Sequence, residues 1–139
     1  MMDSTQQTIQ LLRRRGFMAE KVERWIHTIC KFRDLFKLFD VFTLKPEEGG
    51  VLIQSTEKGS LAAHRRKLLE DPRLPFVLMS SLRVQLWCWS EVAGPNQSQW
   101  EVSVEEVFLN DAGVPDLRPA KVPETKRQQN RKVALDFCI

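Results

Sequence analysis

Two polar residues stand where an apolar core is expected, and they define the chemistry to look for. Asp40 falls among Leu38, Phe39, Val41 and Phe42, and Gln54 follows the run Val51-Leu52-Ile53. A carboxylate in such surroundings is costly unless it is paired, hydrogen-bonded or bound to a metal. Polar side chains at the ends of two adjacent strands are one way a small α/β protein builds a metal site. Other readings stand beside this one. Asp40 could be a structural carboxylate paired with Arg33, and Gln54 a hydrogen-bonded core amide. Asp34 reads as a surface turn residue. Glu23 falls at the edge of an apolar stripe, half facing the core.

The hydrophobic pattern indicates which elements would position these residues. Residues 4–15 read as a short helix with Ile9, Leu11 and Leu12 as its apolar contacts, interrupted by Gly16. From Phe17 to about Phe32 the spacing of Met18, Val22, Trp25, Ile26, Ile29 and Cys30 predicts a second helix, with Glu20, Arg24, His27 and Lys31 on its opposite face. Strands are expected over 35–44 and 51–56, joined as an antiparallel hairpin by the turn-rich Lys45-Pro46-Glu47-Glu48-Gly49-Gly50. Alternation in the second strand puts Leu52, Gln54 and Thr56 on one face and Val51, Ile53 and Ser55 on the other. A helix then runs from Ser60, a candidate N-cap, to about Glu70, and residues 74–81 add a helical turn. Arg83–Trp89 and Trp100–Leu109 read as two further strands separated by a polar loop. The order helix, strand, strand, helix, strand, strand describes an α/β protein with a small mixed β-sheet flanked by helices. Residues 1–110 form the expected domain. Residues 111–139 read as a polar, Pro-containing extension, irregular unless its apolar end Val133–Ile139 docks on the body or adds an edge element.

Bulk properties narrow the class. With 139 residues, 42% hydrophobic and 28% charged, the chain is long enough for one well-filled core and ordinary for a soluble domain. Its longest apolar runs fall well short of the roughly 20 residues that cross a bilayer, so no membrane role is expected. The N-terminus has no hydrophobic signal core. Cys30, Cys88 and Cys138 are widely spaced among apolar neighbours, which fits buried thiols in a reducing, cytoplasmic setting and gives no zinc spacing. Net charge is +3, with basic clusters at Arg13-Arg14-Arg15, at His64-Arg65-Arg66-Lys67 and in the tail. Such clusters permit phosphate neutralisation, and equally make a solvated face. His27 and His64 are isolated, and Trp25, Trp87, Trp89 and Trp100 read as core residues rather than base-stacking platforms.

The segments Val22-Glu23-Arg24-Trp25, Arg33-Asp34-Leu35-Phe36 with Phe39-Asp40, and Ile53-Gln54-Ser55-Thr56, followed by a basic helix, resemble the PD-(D/E)XK nuclease superfamily. That superfamily includes restriction endonucleases and Holliday-junction resolvases, and the likeness is to a degenerate, phage-type member over about residues 17–90. The resemblance implies a restriction-endonuclease-like fold and a metal-dependent DNA endonuclease, cleaving duplex or branched DNA with Mg²⁺ or Mn²⁺. It further implies a homodimer in the cytoplasm of a bacterial or phage-infected cell. By this match Asp40 is the metal-binding aspartate, Gln54 the second ligand and Glu23 the supporting helix glutamate. Thr56 takes the position of the lysine, so Lys58 or Lys67 would have to bring the cation back. Arg65, Arg66 and Lys67 would meet the DNA backbone. Gln54 and Thr56 both depart from the signature. This keeps a second expectation open: a catalytically inactive nuclease-fold protein that acts as a DNA-binding, regulatory or protein-interaction module. The cation discriminates between them, because lysines turned to bulk solvent leave the chemistry without its charge.

Overall fold

A computed structural model describes residues 3–26, 28, 31–34, 38–93 and 98–124, with backbone alone at 23–26, 31–34, 93 and 98. Helix α1 (Ser4–Arg14) begins at Asp3, whose carboxylate accepts from the Gln6 amide at 2.8 Å while the Gln6 side chain accepts from the Asp3 amide. This reciprocal box satisfies two of the orphan donors at the helix start. The helix stops at Gly16, which has a φ of 89°. There the Gly16 amide donates to Arg13 O and the Phe17 amide to Leu12 O. That pairing is the left-handed helix terminus for which glycine is suited.

The expected helix over Phe17–Phe32 is not formed. The chain makes strand β1 (Met18–Lys21) and a small separate ribbon of β2 (Glu23–Ile26) with β3 (Lys31–Asp34). The reason lies in the spacing: Met18, Val22, Ile26 and Cys30 are four residues apart, a step common to helical and alternating periods. The β-branched and aromatic side chains at Val22, Trp25, Ile26 and Ile29 favour the extended choice. Glu23 therefore stands on a strand and not on a helix, and Asp34 stands on a strand and not in a turn. The strand expected over 35–44 begins only at β4 (Val41–Lys45), while residues 35–37, His27 and Cys30 lie outside the described residues.

Strand β5 (Gly49–Glu57) returns antiparallel to β4 through the expected tight turn, where Gly49 adopts a φ of 73°. A 3₁₀ turn (Lys58–Ser60), α2 (Leu61–Glu70) and α3 (Leu74–Met79) then carry the chain back over the sheet. Ser60 occupies the N-cap position of α2 but makes no side-chain capping bond. Strand β6 (Arg83–Ala93) lies parallel to β5, the arrangement that needs such a crossover, and β7 (Ser98–Leu109) pairs antiparallel with β6. Residues 115–120, expected to be irregular, form β8 (Pro115–Ala120) at the sheet edge. The result is a six-stranded mixed sheet in the order β1-β4-β5-β6-β7-β8, with helices on both faces. Its two edges are guarded, β8 by Pro115 and Pro119 and β1 by its shortness and by the exposed Glu20 and Lys21.

Each face carries its own core. Leu11 and Leu12 of α1 pack on Ala19, Val41, Val51, Ile53, Trp87, Trp89 and Val104. On the opposite face Leu68, Leu74 and Val77 pack with Leu38 and Phe39 on Leu52, Val84, Leu86 and Val107. Alternation along β5 and β6 sends odd-numbered residues toward α1 and even-numbered ones toward α2 and α3, as expected for β5. Each fully buried aliphatic side chain contributes about 1.5–3 kcal/mol. Among the described residues no helix is long and apolar enough to cross a membrane.

Ion pairs tie neighbouring strands at one end of the sheet. The Arg83 guanidinium binds both Glu106 of β7 and, at 2.9 Å, Glu48 of the hairpin turn, and Gln85 donates to Glu106 at 3.2 Å. Burial pushes the Glu106 carboxyl up, but the bonds from Arg83 and Gln85 outweigh it and hold its pKa below the ordinary value. A depressed carboxylate pKa adds stability that is complete above the unfolded value of about 4.3 and is lost as pH falls through the folded value. Glu106→Gln should therefore cost about 1–2 kcal/mol at neutral pH, discounted for the half-exposed Arg83. In urea unfolding, the gap between the two proteins should close as pH drops below the carboxylate range.

Candidate functional site

The sequence motifs converge where β4 leaves the sheet. The Asp40 amide donates to Ile53 O at 3.0 Å, which sets Asp40 beside the Gln54 peptide. At the same corner the Val22 amide donates to Asp40 O at 3.0 Å, and the β2–β3 register places Glu23 directly opposite Asp34. The backbone thus gathers Glu23, Asp34, Asp40 and Gln54, which are spread over thirty-two positions of sequence. The side chains of Glu23, Asp34 and Arg33 lie outside the described atoms.

Asp40 is 5% exposed, and its described partners belong to the fold. Both carboxylate oxygens accept from the Ser55 amide, at 3.1 and 3.2 Å, and Oδ2 also accepts from the Thr5 hydroxyl at 3.0 Å. The carboxylate stands in for the main-chain acceptor that β5 loses where β4 begins. Gln54 is buried on the α2 face, where its amide nitrogen donates to Ser55 O at 3.3 Å. Thr56 is buried on the same face, and its hydroxyl donates to Glu57 O. A divalent ion of the magnesium type takes oxygen ligands, usually one or two carboxylates with waters. Among the described residues no group of three His, Cys, Asp or Glu could hold a metal ion.

Lys58 lies in the 3₁₀ turn and Lys67 in α2, and both are exposed. Arg65 is held by Glu105 of β7 at 2.9 and 2.6 Å, while the neighbouring Arg66 and Lys67 are exposed. Cys88 neighbours this group, and burial raises its thiol pKa above the ordinary value, so it behaves as an inert core thiol. His64 is half-buried in α2, while Trp87 and Trp89 are core residues, as expected.

Two features escaped the sequence reading. One is a buried polar network centred on Thr8, which is wholly inaccessible. Its hydroxyl donates to Ser4 O and accepts from Ser55 Oγ at 3.0 Å and from the Trp89 indole N–H at 2.9 Å. One donor and two lone pairs are thus all used. The other is a cavity on the α1 face lined by Thr43, Arg83 and Gln85. A signal for it was present, because Gln85 interrupts the buried strand between Val84 and Leu86 as Gln54 interrupts β5.

Thr8→Val should leave the Ser55 hydroxyl and the Trp89 N–H without an acceptor. Stability should fall by about 2–5 kcal/mol at an unchanged denaturant slope. Asp40→Asn should cost about 1.5–3 kcal/mol in metal-free buffer, because its bonds are made to a charged acceptor. Equal stability of wild type and mutant in EDTA would contradict the structural role of this carboxylate.

Comparison of the chain with protein-family models, curated proteins and solved structures finds no match.

Proposed function

We propose that the chain is a nuclease-fold protein that binds DNA without hydrolysing it. One observation carries this reading: the Asp40 carboxylate is engaged by Ser55 and Thr5, and both candidate lysines are exposed. A phosphodiester transition state needs a metal or a fixed cation to take up developing charge and to lower the pKa of the attacking water. An exposed lysine on a turn or an outer helix face is held in no such position. The meander β1-β4-β5 followed by the parallel β6 supports a restriction-endonuclease-like scaffold, with α2 as its basic outer element. Arg66 and Lys67 then neutralise backbone phosphates, while the pair between Arg65 and Glu105 anchors the helix to the sheet. Binding of this kind is driven by counterion release and carries little sequence information.

A hydrolytic reading is favoured by a different observation, the register that sets Glu23 opposite Asp34 beside Asp40 and Gln54. Like charges directly opposite on paired strands are destabilising, and a divalent cation relieves that. In this reading Mg²⁺ or Mn²⁺ is held by that acidic corner, and the protein is a metal-dependent DNA endonuclease.

One set of assays separates the two. Labelled duplex, single-stranded and four-way-junction DNA are incubated with the protein and Mg²⁺ or Mn²⁺, and binding is measured across a salt series. The expected outcome is no cleavage, with affinity falling steeply as salt rises. Arg66→Ala and Lys67→Ala should each flatten the log–log salt slope by about one unit. Metal-dependent cleavage that disappears in a folded Asp40→Asn protein would replace this reading with the endonuclease. Salt-insensitive or absent binding would overturn both DNA readings.

A further inference from the structure

Helix α1 covers the centre of its sheet face but ends at Arg14, and beyond Gly16 the chain turns away into β1. The uncovered remainder of that face is a cavity of about 260 Å³. Its apolar walls include Leu12, Phe17, Val51 and Trp87. Residues 120–124 close it on the far side, where Arg15 Nε donates to Pro123 O at 3.1 Å and ties the helix end to that wall. The cavity lies on the face opposite α2 and its basic residues, so the argument here is independent of DNA binding by that helix.

Three properties of the lining select a ligand. The Thr43 hydroxyl is buried, with the residue 2% exposed, and has no hydrogen-bond partner among the described residues. A buried hydroxyl in that state is costly, and a polar group entering the cavity relieves it. Gln85 supplies the second polar group. Its amide donates once to Glu106 and accepts once from the Trp87 indole, leaving one N–H and one lone pair unused. Thr43 and Gln85 therefore offer donors and acceptors side by side. The third property is charge: Arg83 and Lys121 in the lining are matched by Glu48 and Glu124, and Arg83 is already engaged by Glu48 and Glu106. No guanidinium is left uncommitted there for a phosphate or carboxylate.

From this geometry we infer that the α1-face cavity is a binding site for one small, neutral, planar heterocycle whose edge sets a hydrogen-bond donor beside an acceptor, as a lactam, an amidine or a carboxamide does. The ring lies against Phe17 and Trp87, and its polar edge is bonded by Thr43 and Gln85. Nucleobases and nicotinamide share this chemistry.

The test is a titration of the full chain with uracil, adenine and nicotinamide, each followed by backbone and indole NMR shifts. Wild type is compared with Thr43→Val, which removes the hydroxyl, keeps the shape and breaks no described hydrogen bond. The expected result is saturable binding of at least one probe, with shifts centred on Thr43, Gln85 and the Trp87 indole. Thr43→Val should weaken it about tenfold while its unfolding midpoint is no lower than that of wild type. Response to uracil or adenine without nicotinamide identifies a nucleobase source, and the converse identifies a carboxamide metabolite. Absence of saturable binding by all probes at millimolar concentration would overturn the proposal and leave a water-filled cavity. So would equal affinity of the valine variant.

Discussion

The fold depends on one hydroxyl. Thr8 is the point at which the first helix, the central strand β5 and its parallel neighbour β6 are joined by polar bonds rather than by packing alone. Apolar contacts would let α1 slide or rotate over the sheet at modest cost. A buried hydroxyl with all its bonding positions filled admits only one placement of the helix. Thr5, one turn earlier, reaches Asp40, so the same helix face also fixes the corner where β4 begins. The capping box at Asp3 and the glycine terminus at Gly16 define the length of the helix that carries these residues.

That dependence gives Asp40 two possible meanings. A carboxylate that completes a sheet ladder is required for the structure whether or not it also takes part in chemistry. Its bonds to the Ser55 amide also hold β5 in the register that presents Gln54 and Thr56 on the α2 face. In the reading proposed above, the acidic corner and the basic helix lie on separate elements joined by β5, so DNA binding by the helix does not depend on chemistry at the corner.

Much of the architecture was legible in the sequence because strand alternation and turn chemistry are local. The β4–β5 hairpin, the alternation of β5, the α2–α3 crossover and the strands β6 and β7 all follow from short-range pattern. The segment after Gly16 was misread because a spacing of four residues satisfies both periods, and only the β-branched content separates them. Strand β8 was hidden because its two prolines suit an edge strand, where a missing N–H faces solvent, as well as they suit a loop. The sequence marks Asp40 as a residue that needs a partner, and its described partners are a main-chain amide and a threonine 35 residues earlier. No local pattern identifies such partners. The cavity left one trace, Gln85 in a buried strand, but its walls meet only where α1 ends and residues 120–124 arrive.

The Thr8–Trp89 bond spans 81 residues, and the Thr8–Ser55 bond spans 47. During synthesis the first helix leaves the ribosome long before either partner exists. Until β6 has emerged and paired with β5, the Leu11–Leu12 face has no floor and the Thr8 hydroxyl has no indole to accept from. Local contacts cannot secure it, and a lone helix of eleven residues is marginal in water. Helix α1 is thus fastened only after the strands that follow it have been made. Until then the nascent chain leaves Leu11 and Leu12 uncovered, the interval in which it is most open to aggregation and to capture by chaperones.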